Sequence, residues 1–336
     1  MRGGMRAHGR RTVLSLAAGL VIMVAAFASS ASAAAIPPGI GGCDTAATAN
    51  GVITIPIKVV KQGQQVEALV GMCFAGKGPY PMVLDTGAEF TVITTQLAKE
   101  LGLKPSGSPL DVEGAGCTTK ARAYELESAS VGGVELEGDS IVTVDAPGEG
   151  KGQPRGSLGA DVLSRFGSVK IDFKKETLTL GAEGEGPRFK KGQGPVPIPA
   201  ALLAGQPKLT VPMRVDAGPF GVRQTVKVKV GSTKARPWLI DTGSTSSVID
   251  PDVVERARLK PPGAAHQTET YCSVVTVPEY RAPNLTLSSG KLMPQVISSF
   301  DGSAGREGGI LGAYALWQYG SVVFDWPGAK MLLGVG

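Results

Sequence analysis

Two Asp-Thr-Gly triplets, Asp85-Thr86-Gly87 and Asp241-Thr242-Gly243, stand 156 residues apart and each offers one carboxylate in a tight turn. An apolar run precedes each (Met82-Val83-Leu84 and Trp238-Leu239-Ile240), and a β-branched pair follows (Val92-Ile93 and Val248-Ile249). A single such Asp could simply cap local N–H groups of its turn. Two brought together could share one proton and do acid–base work on a bound water. The glycines let the backbone turn sharply and let a substrate approach closely. Each Thr hydroxyl can donate one hydrogen bond and accept two, enough to brace the opposite turn.

The triplets belong to a longer repeat. Ile53-Thr54-Ile55-Pro56-Ile57-Lys58-Val59 returns at the same shift as Leu209-Thr210-Val211-Pro212-Met213-Arg214-Val215. Further along, the shift becomes 153: Leu158-Gly159-Ala160 matches Leu311-Gly312-Ala313, and Phe166-Gly167-Ser168-Val169 matches Tyr319-Gly320-Ser321-Val322. Ile171-Asp172-Phe173 then matches Phe324-Asp325-Trp326, and Leu180-Gly181 matches Leu333-Gly334. One unit has been duplicated, with one carboxylate in each copy.

The elements around the triplets read as short β-branched strands cut by Gly, Pro and Ser clusters: Val52–Ile55, Pro81–Leu84, Ile141–Val144 and Val169–Phe173. Helical periodicity is confined to Thr95–Leu101, Ala160–Phe166 and Pro251–Ala257. The stretch 182–206 is rich in Gly and Pro and lacks alternation, as a linker does. The expected organisation is a signal peptide at 1–33, an N-terminal tail at 34–50, a first β-rich unit at 51–181, the linker, and a second unit at 207–336.

This constellation resembles the aspartic peptidases. Asp85-Thr86-Gly87-Ala88 has the retropepsin form of the motif, and Asp241-Thr242-Gly243-Ser244 the form shared with pepsin-like lobes. Leu158–Phe166 with Lys170–Phe173 looks like the second half of a retropepsin-like domain, where an apolar-Gly pair threads behind the catalytic turn. The resemblance implies an all-β, acid-protease fold. Two homologous β-barrel-like lobes would be related by a pseudo-two-fold, with a cleft between them. Asp85 and Asp241 would be catalytic, supported by Thr86, Gly87, Ala88, Thr242, Gly243 and Ser244. No metal or organic cofactor is implied. Gly114 and Gly116, within Glu113-Gly114-Ala115-Gly116, fit a glycine-bearing flap. The matching stretch Glu269-Thr270-Tyr271-Cys272 has no glycine, so the substrate cover is expected to be asymmetric. The implied activity is endopeptidase hydrolysis of a peptide or protein; the alternative is a non-catalytic peptide- or glycan-binding protein on the same scaffold.

The remaining features bound these readings. Arg2, Arg6, Arg10 and Arg11, the apolar run Val13–Phe27 and Ala31-Ser32-Ala33 have the three parts of a cleavable signal peptide. The formal charge is +5, and that segment carries four of the arginines and no acid. The mature chain is left near neutrality, which gives no case for a nucleic-acid partner. No later apolar stretch is long enough to span a bilayer, and the two repeats suggest a monomer whose lobes pair within one chain. Export would place it in a secreted, periplasmic or envelope location and favour disulfides among Cys43, Cys73, Cys117 and Cys272. Expected pairings are Cys43–Cys73 and Cys117–Cys272, because Cys117 and Cys272 occupy nearly equivalent places in the two repeats. The chain has only His8 and His266, which excludes His-rich metal sites and leaves His266 alone for any triad.

Overall fold

A computed structural model describes residues 39–49, 51–114, 117–136, 140–145, 153–181, 198–203, 205–218, 221–260, 265–269, 274–288, 290–300 and 307–336. The proposed signal segment 1–33 and the first part of the linker, 182–197, lie outside them. Among the described residues no helix is long and apolar enough to cross a membrane.

The fold is largely β-sheet. In the first repeat, Val52–Gln62 pairs antiparallel with Gln65–Phe74, and that strand with Lys77–Leu84. In the second, Leu209–Ala217, Val222–Val230 and Arg236–Asp241 pair in the same way. The register is identical at the repeat shift: Ile57 faces Val70, and Met213 faces Val226. Gln65–Phe74 is apolar almost throughout and buried on both faces, so it reads as a continuous run and not as an alternation.

The two repeats are joined by one antiparallel sheet. Its order is Val52–Gln62, Thr177–Leu180, Ser168–Asp172, Ser321–Asp325, Lys330–Leu333, Leu209–Ala217. The central seam pairs Val169 with Phe324 and Ile171 with Val322, residues that occupy matched places in the duplication. All five residues of each seam strand are buried. At roughly 25 cal/mol per Å² of apolar surface, such burial strongly favours keeping the halves together.

The helices fall where periodicity placed them. Thr95–Leu101 starts at Thr94, whose Oγ1 accepts from Leu97 N (3.1 Å), and stops at Gly102, whose φ of +73° suits a residue without a Cβ. Pro251–Ala257 has Pro at its first turn after Asp250. The Ala160–Phe166 expectation resolves into an α-turn, Ala160–Leu163, and a 3₁₀ turn, Ser164–Phe166. A fourth helix, Ala313–Trp317, is too short to announce itself by periodicity.

The N-terminal tail is docked. Ala47–Ala49 pairs with Val52–Thr54, Ile40 is buried, and Cys43 is bonded to Cys73 as expected. This bond spans 30 residues, so it contributes about 3–4 kcal/mol in the chain-entropy account. For Cys117–Cys272 the position of Cys272 and the side chain of Cys117 lie outside the described residues.

Candidate active site

Each Asp-Thr-Gly turn is delivered by a buried strand and backed by a Leu-Gly segment. Lys77–Leu84 runs parallel to Gly156–Leu158, with Leu84 beside Leu158, and Asp85 N donates to Leu158 O (3.0 Å). Arg236–Asp241 runs parallel to Gly309–Gly312, with Ile240 beside Leu311. Behind the turns, Ala160 N donates to Ala88 O (2.8 Å) and Ala313 N to Ser244 O (2.7 Å). The glycines of these segments are required by contact. A Cβ on Gly159 would stand 2.5 Å from the Phe90 carbonyl, and one on Gly312 2.1 Å from Ser246 O. The apolar-Gly pair thus threads behind the turn in both repeats.

The turns grip each other reciprocally. Thr86 N donates to Thr242 Oγ1 (3.0 Å) and Thr242 N to Thr86 Oγ1 (3.2 Å). The hydroxyls then donate across the interface, Thr86 Oγ1 to Ile240 O (3.1 Å) and Thr242 Oγ1 to Leu84 O (2.6 Å). All four groups are buried, so breaking one bond would strand a polar atom at a cost of about 1–3 kcal/mol.

This grip sets the two carboxylates side by side. Asp85 and Asp241 are both fully buried. Gly87 and Ala88 N–H groups donate to Asp85 Oδ1 (3.0 and 2.9 Å), and Gly243 and Ser244 N–H groups to Asp241 Oδ1 (2.9 and 3.0 Å). The other oxygens, Asp85 Oδ2 and Asp241 Oδ2, receive no protein hydrogen bond. Each glycine lies against the opposite carboxylate: a Cβ on Gly87 would stand 2.3 Å from Asp241 Cγ, and one on Gly243 2.4 Å from Asp85 Cγ.

Burial, and then the charge of Asp241, push the Asp85 carboxyl well above the usual carboxylate range. Burial raises Asp241 to about 6, against lowering by its hydrogen bonds and by the charge of Arg223. Two buried acids in contact cannot both ionise cheaply, which favours a proton shared between them, as in the aspartic-protease dyads that are the reference case. Chemically the arrangement offers one acid and one base at one point. Among the described residues no group of three or more His, Cys, Asp or Glu side chains is placed to hold a metal.

Of the residues singled out in sequence, Asp85, Thr86, Gly87, Ala88, Asp241, Thr242, Gly243 and Ser244 come together here. Gly114 ends the strand Pro105–Gly114, which forms a hairpin with Cys117–Glu125; Gly116 lies outside the described residues. His266–Glu269 and Val274–Val277 form the corresponding pair in the second repeat.

Three contributors escaped sequence reasoning. Gln224, fully buried, donates through Nε2 to Thr86 O and accepts at Oε1 from Trp326 Nε1 (3.1 Å). Arg223 Nη2 donates to Glu307 Oε1 (2.8 Å), and its Nη1 reaches Glu89 Oε1 at 3.4 Å, beside the first turn. Glu67, at the place of Arg223 in the first repeat, is buried and carries no ion pair among the described residues. A signal existed: polar Gln224 stands where the repeat has Ala68, and the Arg223/Glu67 pair reverses charge.

The aspartyl protease family profile matches residues 70–162 and 226–315, together just over half of the chain and one segment in each repeat. Comparison with curated proteins gave no match. Among solved structures, basic 7S globulin from soybean aligns at 11% identity over 85% of this chain and 95% of its own (TM-score 0.42). Conglutin gamma, a basic 7S globulin from lupine seeds, aligns at 10% over 84% and 94% (TM-score 0.44). An aspartic proteinase from Irpex lacteus aligns at 12% over 83% and 96% (TM-score 0.46). With both matched segments carrying an Asp-Thr-Gly turn, the chain belongs to the aspartyl protease family.

Proposed function

We propose that the protein is an exported aspartic endopeptidase that hydrolyses peptide bonds with the Asp85–Asp241 pair and an activated water. The observation that carries this reading is the reciprocal Thr86/Thr242 grip, which holds two fully buried carboxylates against each other. A pure binding scaffold has no need to bury two carboxylates against each other. In this reading the repeats are two lobes related by a pseudo-two-fold through the Asp pair, with the substrate cleft between them. The hairpin ending at Gly114 serves as one flap.

The chemistry follows from the shared proton. The ionised partner takes a proton from water, whose oxygen attacks the scissile carbonyl carbon. The protonated partner donates to the developing oxyanion, and collapse of the tetrahedral intermediate expels the amine with a proton from the pair. The N–H groups of Gly87, Ala88, Gly243 and Ser244 hold the two Oδ1 oxygens, leaving the two Oδ2 oxygens for this work. Acid and base belong to the pair and not to either residue. The Cys43–Cys73 bond supports an oxidising compartment.

The test is hydrolysis of a denatured protein between pH 3 and 8, inhibited by a statine-type transition-state mimic. Asp85→Asn and Asp241→Asn should each lower kcat/KM by about 10³-fold or more while the thermal unfolding profile stays cooperative. Near-parental activity in either variant would overturn the dyad. Mimic binding without hydrolysis by the parent would favour the non-catalytic peptide-binding alternative.

A further inference from the structure

Gln224 is a fully buried amide on a strand whose residues of the same face, Val222, Val226 and Val228, lie in the apolar core. Its orientation is fixed by what surrounds it. The indole N–H of Trp326 can only donate, so it selects the amide oxygen: Nε1 donates to Gln224 Oε1 (3.1 Å). The amide nitrogen is thereby turned towards two carbonyls, donating to Thr86 O and standing 3.5 Å from Ile240 O. Thr86 O belongs to the peptide unit whose other end is the Gly87 N–H, and that N–H donates to Asp85 Oδ1 (3.0 Å). Indole, side-chain amide, peptide and carboxylate therefore stand in line, with every donor directed towards the acid.

The outer end of this line is anchored to the seam that joins the repeats. Trp326 follows the strand Ser321–Asp325, stacks on Phe324 (ring centroids 5.6 Å apart), and donates through its backbone N to Gly167 O (3.1 Å). The duplication supplies an internal control. Ala68 and Phe173 occupy the places of Gln224 and Trp326; both are buried, and neither side chain can donate or accept a hydrogen bond. The two members differ together, polar with polar in the second repeat and apolar with apolar in the first. Thr86 O thus receives an amide donor, while the matched position in the other repeat offers only a methyl group.

Hydrogen bonds in series polarise one another, by about 10–30% per bond in a condensed phase. An amide that accepts at one end and donates at the other passes that polarisation on. We propose that Trp326 and Gln224 are positioning residues: a relay that fixes the Thr86–Gly87 peptide and strengthens its N–H bond to Asp85 Oδ1. Neither residue touches a substrate; both act through the peptide. The relay favours negative charge on the first carboxylate and makes the two turns unequal despite their matched backbones. Its effect on turnover rests on the peptidase reading above, whereas its effect on the acids does not. Among the described residues, the other charged groups on the elements packed around the turns are Arg223 with Glu89 and Glu307, Glu67, and Asp161 and Arg165 behind Ala88. The substitutions below leave all of them in place.

Carbon-13 NMR titration of the Asp carboxyls in the full chain reads the pair directly, with Asp85→Asn and Asp241→Asn assigning its signals. Gln224→Met removes both hydrogen-bonding ends at similar volume. Trp326→Phe removes only the N–H and installs the residue type of the first repeat. In Gln224→Met the first proton should leave the pair at a pH higher by about half a unit or more, because the charged form has lost support. Trp326→Phe should move it the same way by less, and the double variant no further than Gln224→Met, since one relay is cut twice. The acid limb of kcat/KM should move with it. A purely structural role would lower stability in denaturant and leave the titration where it was. An unmoved titration in folded Gln224→Met, or additive shifts in the double variant, overturns the proposal. Should Gln224→Met fail to fold, an unmoved titration in Trp326→Phe does the same. A shifted titration in a protein that hydrolyses no peptide overturns the peptidase reading and upholds the relay.

Discussion

The two Asp-Thr-Gly turns share their backbone geometry almost bond for bond, yet their surroundings differ in charge. Beside the first turn, Glu89 meets Arg223 from the second repeat, and Arg223 also holds Glu307. Beside the second turn, the place of Glu89 is taken by Thr245 and the place of Arg223 by Glu67. The strands still meet, since Val66 N donates to Thr245 O (3.0 Å), but among the described residues no cation pairs with Glu67. Glu67, with no ion pair among the described residues, is pushed up to about 7 by burial. Duplication kept what the backbone and the Asp pair require and let the supporting electrostatics diverge. Among the described residues, only one side has an ion pair that ties the halves together and bears on Asp241.

Four substitutions sharpen or break this comparison. Gly87→Ala and Gly243→Ala test the shared part and should have the largest effect on turnover. Each puts a methyl 2.3–2.4 Å from the opposite carboxylate carbon, which forces the pair apart. A displacement of about 1 Å costs about 10²-fold, so kcat/KM should fall at least that far in both. A large loss in one and none in the other would show that the turns are not equivalent.

Arg223→Met tests the divergent part. It leaves Glu89 and Glu307 without their shared cation in a largely buried place, at a cost of about 3 kcal/mol read by denaturant unfolding. It also removes a charge that lowers Asp241. Below Asp241's value of about 6 both acids hold protons and no base is present, so kcat/KM should rise with pH through that region. Without Arg223 this acid limb should move to higher pH. An unmoved limb would mean that Arg223 only ties the halves together.

Glu67→Gln should change turnover least and report mainly on stability. The folded carboxyl at about 7 lies above its ordinary value of 4.5, so the folded state holds the proton more tightly. Parental stability therefore falls as pH rises from about 4.5 to 7, and the amide should abolish that slope. The variant gains on the order of 3 kcal/mol relative to the parent by pH 8, with no relative gain at pH 4. Identical pH–stability profiles would show that Glu67 finds a partner after all.

The sequence by itself determined the duplication, the two acids, the bracing threonines and the glycines, because each sits in a repeated local pattern whose chemistry is readable from residue type. It also determined the longer helices, through Thr94, Gly102 and Pro251 at their ends, and the Cys43–Cys73 bond. What only the tertiary structure decided are contacts across the repeats. Gln224 is an ordinary strand residue until Thr86 O and Trp326 Nε1 are seen on either side of it. Arg223 and Glu89 lie 134 residues apart and meet only because the turns grip. The tail follows the same rule: strand patterning shows which residues are apolar, but what covers them depends on where the preceding chain runs. That course is set by competition among distant surfaces for one segment, which no local spacing records.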